Sequence, residues 1–281
     1  MTQKKPKLYT VAENSLPYLI LTSIALAVLL VICTITLLAT RGCQADPDAG
    51  KKPTDTTITT QSESTVTPDP NDSVILPETP DAGLTYQDSL TFVGDSLTAH
   101  LINREVLTGG RATQQVWKTE NNMLNLNSEV SSAKIILPGT GELMTIAQAA
   151  KTAKPSILII TLGTDWGVSY LNETDFKACY TKLVNDVKAA SPDTKIILQS
   201  IFPVTADCPH PSLSNDRIDN ANKWVKAIAA ETGCRYLDTQ SVLKDENNCL
   251  KSEYCNSNDG IHLGANAYKV ILEYIRTHAY N

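Results

Sequence analysis

The chain has 281 residues, and its 24 basic and 30 acidic side chains give a formal net charge of −6. An acidic balance excludes the broad basic surface that neutralises phosphates in nucleic-acid-binding proteins, so we expect no nucleic acid as a partner. About 195 residues remain after the first 84, which is enough for one domain with a sizeable core.

The N-terminal third contains an apolar segment followed by a polar one. Residues 16–40 carry no charged side chain and are long enough for a helix that crosses a bilayer. A cleaved signal peptide and a buried soluble helix are the alternatives. We predict a cytoplasmic tail over residues 1–15, a transmembrane helix over 16–40 and a linker over 41–84. The linker is rich in Thr, Pro, Ser and Asp, and such a sequence cannot bury enough apolar surface to order itself. The remaining domain, residues 85–281, is then expected outside the cytoplasm and held to the cell membrane by one helix.

Residues 85–281 alternate between two hydrophobic patterns. Continuous apolar runs at 90–93, 157–162 and 195–201 are typical of parallel strands covered on both faces, and residues 235–237 and 115–117 are weaker strand candidates. Apolar residues recur at helical spacing over 176–187, 218–229 and 267–275. Strands that alternate with helices predict a three-layer α/β/α sandwich with a mostly parallel sheet. Residues 109–141 show no clear period, and we expect irregular structure there, with a small hairpin at most.

Polar residues follow several of these strands. Ser96 comes after the first run, Gly163 and Asp165 come after the second, and Asp259 with His262 lie beyond the last strand candidate. Because ligand sites of open parallel sheets form outside the carboxyl ends of the strands, we expect these residues at one edge of the sheet.

Two short motifs carry the chemistry of this edge. Ser96 lies in Gly-Asp-Ser-Leu (residues 94–97), and Asp259 and His262 bound Asp-Gly-Ile-His (residues 259–262). A serine hydroxyl is a weak nucleophile at neutral pH and needs a base within hydrogen-bond reach, whose tautomer a carboxylate fixes. We predict that Ser96 is a nucleophile, His262 its general base and Asp259 the carboxylate that orients the imidazole.

The two motifs resemble the first and last sequence blocks of the SGNH (GDSL) hydrolase superfamily, esterases and acylhydrolases named for Ser, Gly, Asn and His in four blocks. The resemblance covers residues 85–281. It implies a flavodoxin-like SGNH hydrolase fold and hydrolysis of a small acyl ester, such as an O-acetyl group on a cell-wall or other glycan, with no metal or organic cofactor. The same triad would serve an O-acyltransferase, and the same cleft would serve a catalytically weakened glycan-binding module.

The middle blocks depart from the superfamily pattern. Its members hold the oxyanion with the serine N–H, a glycine N–H of the second block and an asparagine of the third. The third block here is Leu-Gly-Thr-Asp, which includes Gly163 and places Asp165 where asparagine is expected. An ionised carboxylate donates no hydrogen bond. Three alternatives stay open: Asp165 is protonated by burial, Asn121 or Asn122 donates in its place, or the site is weakened or inactive.

Other polar and aromatic residues give secondary predictions. Trp117 and Trp166 are candidates for the rim of the pocket as stacking surfaces for a sugar ring, although plain packing in the core is the more frequent role of such aromatics. His100 and His278 are expected at the surface.

Three cysteines lie in loops near the predicted site: Cys208, Cys249 and Cys255. Outside the cell we expect a disulfide among them. A metal site that adds His210 is the alternative, although this spacing fits no common zinc pattern.

Overall fold

A computed structural model of the chain describes residues 70–164 and 166–280. The predicted cytoplasmic tail, the predicted transmembrane helix and most of the predicted linker lie outside the described residues, as does Asp165. Within the described ranges, no helix combines the length and the apolar character needed to cross a bilayer.

Strands and helices alternate along the described chain, as the sequence predicts. The strands are β1 (Leu90–Gly94), β2 (Val116–Trp117), β3 (Lys134–Ile136), β4 (Leu143–Thr145), β5 (Ile157–Thr161), β6 (Lys195–Gln199) and β7 (Arg235–Leu237). The helices are α1 (Gly83–Asp88), α2 (Ser96–Asn103), α3 (Ile146–Ala153), α4 (Trp166–Tyr170), α5 (Glu173–Ala190), α6 (Asn215–Thr232), α7 (Gln240–Leu243) and α8 (Ala265–Arg276). Short 3-10 helices span Pro70–Val74, Gly110–Ala112 and Ser252–Tyr254.

The main sheet has five parallel strands in the order β2-β1-β5-β6-β7. Strand β5 is buried at every position, which explains why its sequence is a continuous apolar run and does not alternate. The register pairs Gly94 with Thr161. The carboxyl ends of β1 and β5 therefore lie side by side, and the residues that follow them, Ser96 and Gly163, start from the same edge.

Helices cover both faces of the sheet. On one face α5 packs between α3 and α6, and on the other α8 contacts α1 and α7. Helix α2 is bonded to α8, since the Tyr268 hydroxyl of α8 donates to the Leu97 carbonyl of α2 at 2.7 Å. This arrangement confirms the predicted three-layer α/β/α sandwich with a parallel sheet.

The folded unit begins earlier than the predicted boundary at residue 85. The Pro70–Val74 helix contacts α6, and Ile75 forms a parallel bridge with Tyr236 at the β7 edge of the sheet. The Arg276 guanidinium also pairs with Asp81 at 3.0 Å. Residues 70–84 are thus held by pairing to the sheet and to α8, contacts that their polar composition does not reveal.

The region without a clear period contains a two-stranded antiparallel hairpin, β3–β4, which pairs Ile135 with Met144. Helix α3 follows it directly and opens with a capping box, in which Thr145 and Gln148 each accept from the other's backbone N–H. The rest of the region is irregular and leads from β2 towards the hairpin.

Candidate active site

Ser96 stands at a tight junction between a strand and a helix. β1 ends at Gly94, and α2 begins at Ser96. A Cβ atom on Gly94 would collide with the Thr161 carbonyl and the Thr98 side chain, so glycine is required where the two strands approach. Because Ser96 opens α2, its backbone N–H belongs to the first turn, where such groups have no partner within the helix.

Asp95, between the strand and the helix, ties the serine to the neighbouring loop. Its side chain is 2% exposed, and one carboxylate oxygen caps α2 by accepting from the Leu97 N–H at 3.1 Å. The other oxygen accepts from the Thr164 N–H at 3.2 Å. The Gly-Asp-Ser-Leu motif and the third block are therefore held together by one buried carboxylate.

Ser96, His262 and Asp259 form a continuous hydrogen-bonded chain. The Ser96 Oγ lies 3.2 Å from His262 Nε2, and His262 Nδ1 lies 2.7 Å from Asp259 Oδ2. With the Nδ1 proton directed at the carboxylate, Nε2 is left as the acceptor that faces the serine hydroxyl. The structure thus brings together three side chains that the sequence separates by 166 residues, in the order that nucleophilic catalysis requires.

Asp259 is held as a carboxylate by its own loop. Burial by itself would raise its pKa, but hydrogen bonds from the Ser257 hydroxyl, the His262 ring and the N–H groups of His262 and Ile261 lower the pKa well below its ordinary value. The Ser257 Oγ to Asp259 Oδ1 distance is 2.5 Å, and the two N–H groups lie at 2.9 and 3.0 Å. The negative charge behind His262 is therefore present at neutral pH.

His100 of α2 and Arg104, which caps the C-terminus of α2, contact the loop that carries His262. The His100 ring stacks on the His262 ring with centroids 4.6 Å apart. Burial lowers the pKa of His100 to about 4. The nearby His262 and Arg104 also lower this pKa, whereas Asp259 raises it. One turn later, Arg104 Nε donates to the Leu263 carbonyl at 3.0 Å, and its Nη atoms donate to the amide oxygen of Asn256 at 2.9 and 3.1 Å. The prediction that His100 is a surface residue is wrong, because this ring is half-buried between α2 and the loop.

A cleft of about 390 Å³ adjoins the triad. Asp259 and His262 form part of its wall, and α4 and the loop over residues 210–213 form much of the rest. Trp166 and Tyr170 of α4 are 42% and 68% exposed, and their rings lie 4.9 Å apart. The other lining residues mix apolar and polar side chains: Met123, Asn125, Ser169, His210, Ser212, Leu213 and Ile261.

The remaining predicted site residues lie in different places. Trp166 lines the cleft. Trp117 does not, because it is 2% exposed in β2, so its predicted position at the rim is wrong. The Asn122 side chain accepts from Lys118 Nζ at 2.8 Å and is not part of the cleft wall. Gly163 has a φ of +124°, a conformation that favours glycine, and its carbonyl accepts from the Val168 N–H as α4 begins.

The predicted disulfide among Cys208, Cys249 and Cys255 does not form, and all three are free thiols. Each thiol instead faces a carbonyl of the surrounding loops: Cys208 faces Asp259, Cys249 faces Asn247 and Cys255 faces Ser257. The alternative with His210 is also contradicted, since among residues 70–164 and 166–280 no three His, Cys, Asp or Glu side chains converge on a metal site.

Sequence patterns missed four residues of this region: His100, Arg104, Asn125 and Tyr170. The spacing of Ser96, His100 and Arg104 is four residues, which places them along one side of α2, and this was the available signal. Tyr170 follows Trp166 at the same spacing. Asn125 carries no sequence signal, because it lies in the irregular region between β2 and β3.

Several solved structures are similar to this chain. A GDSL-like lipase from Bacteroides thetaiotaomicron is 16% identical, with 73% of this chain and 91% of that chain covered and a TM-score of 0.45. The periplasmic domain of a lipopolysaccharide acetyltransferase from Salmonella ser. Paratyphi A is 15% identical, with 66% and 82% covered and a TM-score of 0.46. An acetylxylan esterase from Geobacillus stearothermophilus is 17% identical, with 68% and 94% covered and a TM-score of 0.40. A search of the curated proteins found no match.

The sequence also matches a family model, and the match includes both motifs of the triad. It runs over residues 92–270, more than half of the chain, and the model describes the GDSL-like lipase/acylhydrolase family. The chain therefore belongs to the GDSL-like lipase/acylhydrolase family, which confirms the resemblance to the SGNH (GDSL) superfamily.

Proposed function

We propose that this protein is a serine esterase that removes small acyl groups, such as O-acetyl groups, from a glycan. The observation that carries the proposal is the hydrogen-bonded chain from Ser96 through His262 to Asp259. These hydrogen bonds link a hydroxyl, a base and an orienting carboxylate in the order needed for acyl transfer.

The reaction follows from this order. Ser96 Oγ attacks the acyl carbon while its proton passes to His262 Nε2, and Asp259 stabilises the imidazolium that forms. The Ser96 N–H, in the first turn of α2, would donate to the oxyanion. His262 then returns the proton to the departing alcohol. Water, deprotonated by the same imidazole, attacks the acyl-serine and releases the acid.

The cleft beside the triad supports a sugar ester as the substrate. Trp166 and Tyr170 offer exposed aromatic faces, which suit the apolar face of a sugar ring. The Ser169 and Ser212 hydroxyls and the Asn125 amide lie in the same wall and can bond with sugar hydroxyls. An open cleft with mixed lining favours a small acyl group on a large alcohol over a long fatty chain.

A membrane anchor fits this function. The uncharged segment over residues 16–40 supports attachment to the cell membrane with the catalytic domain on the outer side, next to extracellular glycans. Fractionation of cells, followed by protease treatment of intact cells, tests this arrangement. A chain recovered in the soluble fraction would contradict it.

The esterase activity is tested with the purified full-length chain. Wild type should release acetate from 4-nitrophenyl acetate and from an O-acetylated oligosaccharide, and Ser96→Ala should release none above background. Turnover by Ser96→Ala equal to that of wild type would defeat the proposal. Adding an unmodified oligosaccharide as acceptor distinguishes an O-acyltransferase, which would form new sugar esters.

Asp165 favours a second candidate, a catalytically weakened glycan-binding module. An ionised carboxylate donates no hydrogen bond and would repel the oxyanion, and the loss of one donor costs on the order of a hundred- to a thousand-fold in rate. Asp165→Asn separates the two candidates. Activity in both proteins indicates an enzyme with a differently built oxyanion hole, whereas a large gain from an inactive wild type indicates the binding module.

A further inference from the structure

The proposed esterase needs a side-chain donor for its oxyanion, and this inference rests on that proposed function. Serine esterases stabilise the tetrahedral intermediate with two or more preorganised donors. The Ser96 N–H supplies one, but the third block offers Asp165, a residue that donates only when protonated. A carboxamide elsewhere in the cleft would fill this role at any pH.

Asn125 is a carboxamide in the wall of the cleft that also contains His262. It lies between two core residues, Leu124 and Leu126, which are 2% and 1% exposed. Buried residues on both sides hold the backbone of Asn125, and Asn125 itself is half-buried in the wall of the cleft. A donor held in this way loses little conformational entropy when it binds.

The segment of Asn125 packs against the helix that follows the third block. A Cβ atom built on Gly167 of α4 would lie 3.1 Å from a methyl group of Leu126, so Leu126 and α4 are in direct contact. The loop after β2 and the third-block region therefore meet beside the cleft. The sheet order places β2 and β5 on either side of β1, the strand that leads to Ser96.

Among the described residues, no hydrogen bond occupies the Asn125 side chain. The amide oxygens of two nearby asparagines already accept hydrogen bonds. The Asn121 carbonyl oxygen accepts from the Thr119 hydroxyl and the Met123 N–H, and the Asn122 oxygen accepts from Lys118 Nζ. Neither Asn121 nor Asn122 is part of the cleft wall. Of these three asparagines, Asn125 is therefore the one whose position in the cleft wall allows its N–H groups to reach a bound ester.

We propose that the Asn125 carboxamide is the side-chain donor of the oxyanion hole, in the role that the third-block asparagine would have. As Ser96 Oγ bonds to the acyl carbon, the carbonyl π electrons move to its oxygen, and Nδ2–H of Asn125 donates to that oxygen. The donor keeps its proton throughout. When the intermediate collapses, the oxygen regains its double bond, and the alcohol leaves with the proton from His262.

The experiment compares Asn125→Ala and the isosteric Asn125→Asp with wild type, using the full-length chain and 4-nitrophenyl acetate. We expect kcat to fall by roughly a hundred- to a thousand-fold in both variants, with KM changed by no more than about two-fold, because the interaction strengthens in the transition state. Asn121→Ala and Asn122→Ala are the matched controls from the same loop, and both should retain wild-type kcat.

A second readout separates a catalytic role from loss of structure. Phenylboronic acid forms a tetrahedral adduct on an active serine, and its inhibition constant should rise in Asn125→Ala by a factor similar to the fall in kcat. An Asn125→Ala protein with wild-type kcat, or with wild-type affinity for the boronic acid, would overturn this inference while the esterase proposal stands. An inactive wild type whose Ser96 does not react with an acyl-mimicking reagent would overturn both.

Discussion

The imidazole ring of His100 stacks on that of His262, with the ring centroids 4.6 Å apart and the planes tilted by 32°. His100 comes one helical turn after Ser96, so the helix that presents the proposed nucleophile also supports the ring of the proposed base. The Asp259 carboxylate at Nδ1 and His100 against its face therefore both restrain the His262 ring.

The stacked ring should be needed for the rate and not for substrate affinity. His100→Ala removes the support and leaves His262 free to rotate, and a small misplacement of a catalytic group costs about ten- to a hundred-fold in kcat. His100→Phe keeps an aromatic ring and should stay within about three-fold of wild type by the same argument. Steady-state kinetics with 4-nitrophenyl acetate measure both; equal kcat values for the Ala and Phe variants would show that the ring contact has no role.

The same residue should make folding sensitive to acid. Burial lowers the pKa of His100 to about 4, aided by His262 and Arg104 and opposed by Asp259, from an ordinary value of 6.5. Between pH 6.5 and pH 4, His100 is protonated in the unfolded chain but stays neutral in the folded chain. The contribution of neutral His100 to the free energy of unfolding is therefore complete above pH 6.5 and is lost as the pH falls towards 4. The melting temperature of His100→Phe should decrease less than that of wild type between pH 7 and pH 5. A parallel decrease in the two proteins would contradict the buried, neutral state of His100.

Arg104 should stabilise the loop that carries Asp259 and His262. Its guanidinium donates to the Leu263 carbonyl and to the Asn256 amide oxygen, and hydrogen bonds to charged groups contribute about 1.5–3 kcal/mol. Arg104→Ala should lower the free energy of unfolding in urea by roughly that amount and reduce kcat as well.

Arg111→Ala is the matched control for Arg104. Arg111 pairs with Glu105 at the surface, and the two side chains are 77% and 54% exposed. Exposed ion pairs of this kind contribute about 1 kcal/mol or less, so this variant should remain close to wild type in both measurements. Equal losses in the two variants would mean that Arg104 has no special role as a clamp.

The aromatic wall should matter for sugar esters alone. Trp166→Ala removes one stacking face from the cleft, and an aromatic contact of this kind is worth about 1 kcal/mol, or roughly five-fold in KM. KM for an O-acetylated oligosaccharide should rise by that factor, while KM for 4-nitrophenyl acetate stays unchanged. A similar rise for both esters would indicate that Trp166 supports the fold of the cleft and does not bind sugar.

The α/β/α architecture could be predicted from the sequence because the hydrophobic pattern of each strand and helix is local. Strands β1, β5 and β6 are buried on both faces and appear as apolar runs, and α5, α6 and α8 show their inward faces at helical spacing. The segment over residues 70–84 and the short helix α4 could not be predicted in this way. Their stability comes from bridges such as Ile75 to Tyr236 and from packing against distant elements.

The predicted partnership of Ser96, His262 and Asp259 follows from two motifs and one rule of sheet topology. The surroundings of the triad do not follow from motifs. His100 meets His262 across 162 residues of chain, and Asn125 reaches the cleft because two buried leucines orient its segment. Trp117 lies in the second strand candidate, close to the sheet edge where the site was predicted. It is nevertheless part of the core, where β2 pairs with β1.

Labelling with a fluorophosphonate tests the central claim, a nucleophilic serine activated by a distant histidine, most directly. The Ser96 oxygen would displace fluoride from phosphorus, and intact-mass measurement with peptide mapping would locate the product. We predict one label per chain on Ser96, no label in Ser96→Ala and strongly slowed labelling in His262→Gln. Ser212→Ala removes a hydroxyl from the cleft wall and should be labelled at the wild-type rate. Labelling of Ser96 at the wild-type rate in His262→Gln, or labelling at another residue, would contradict the account.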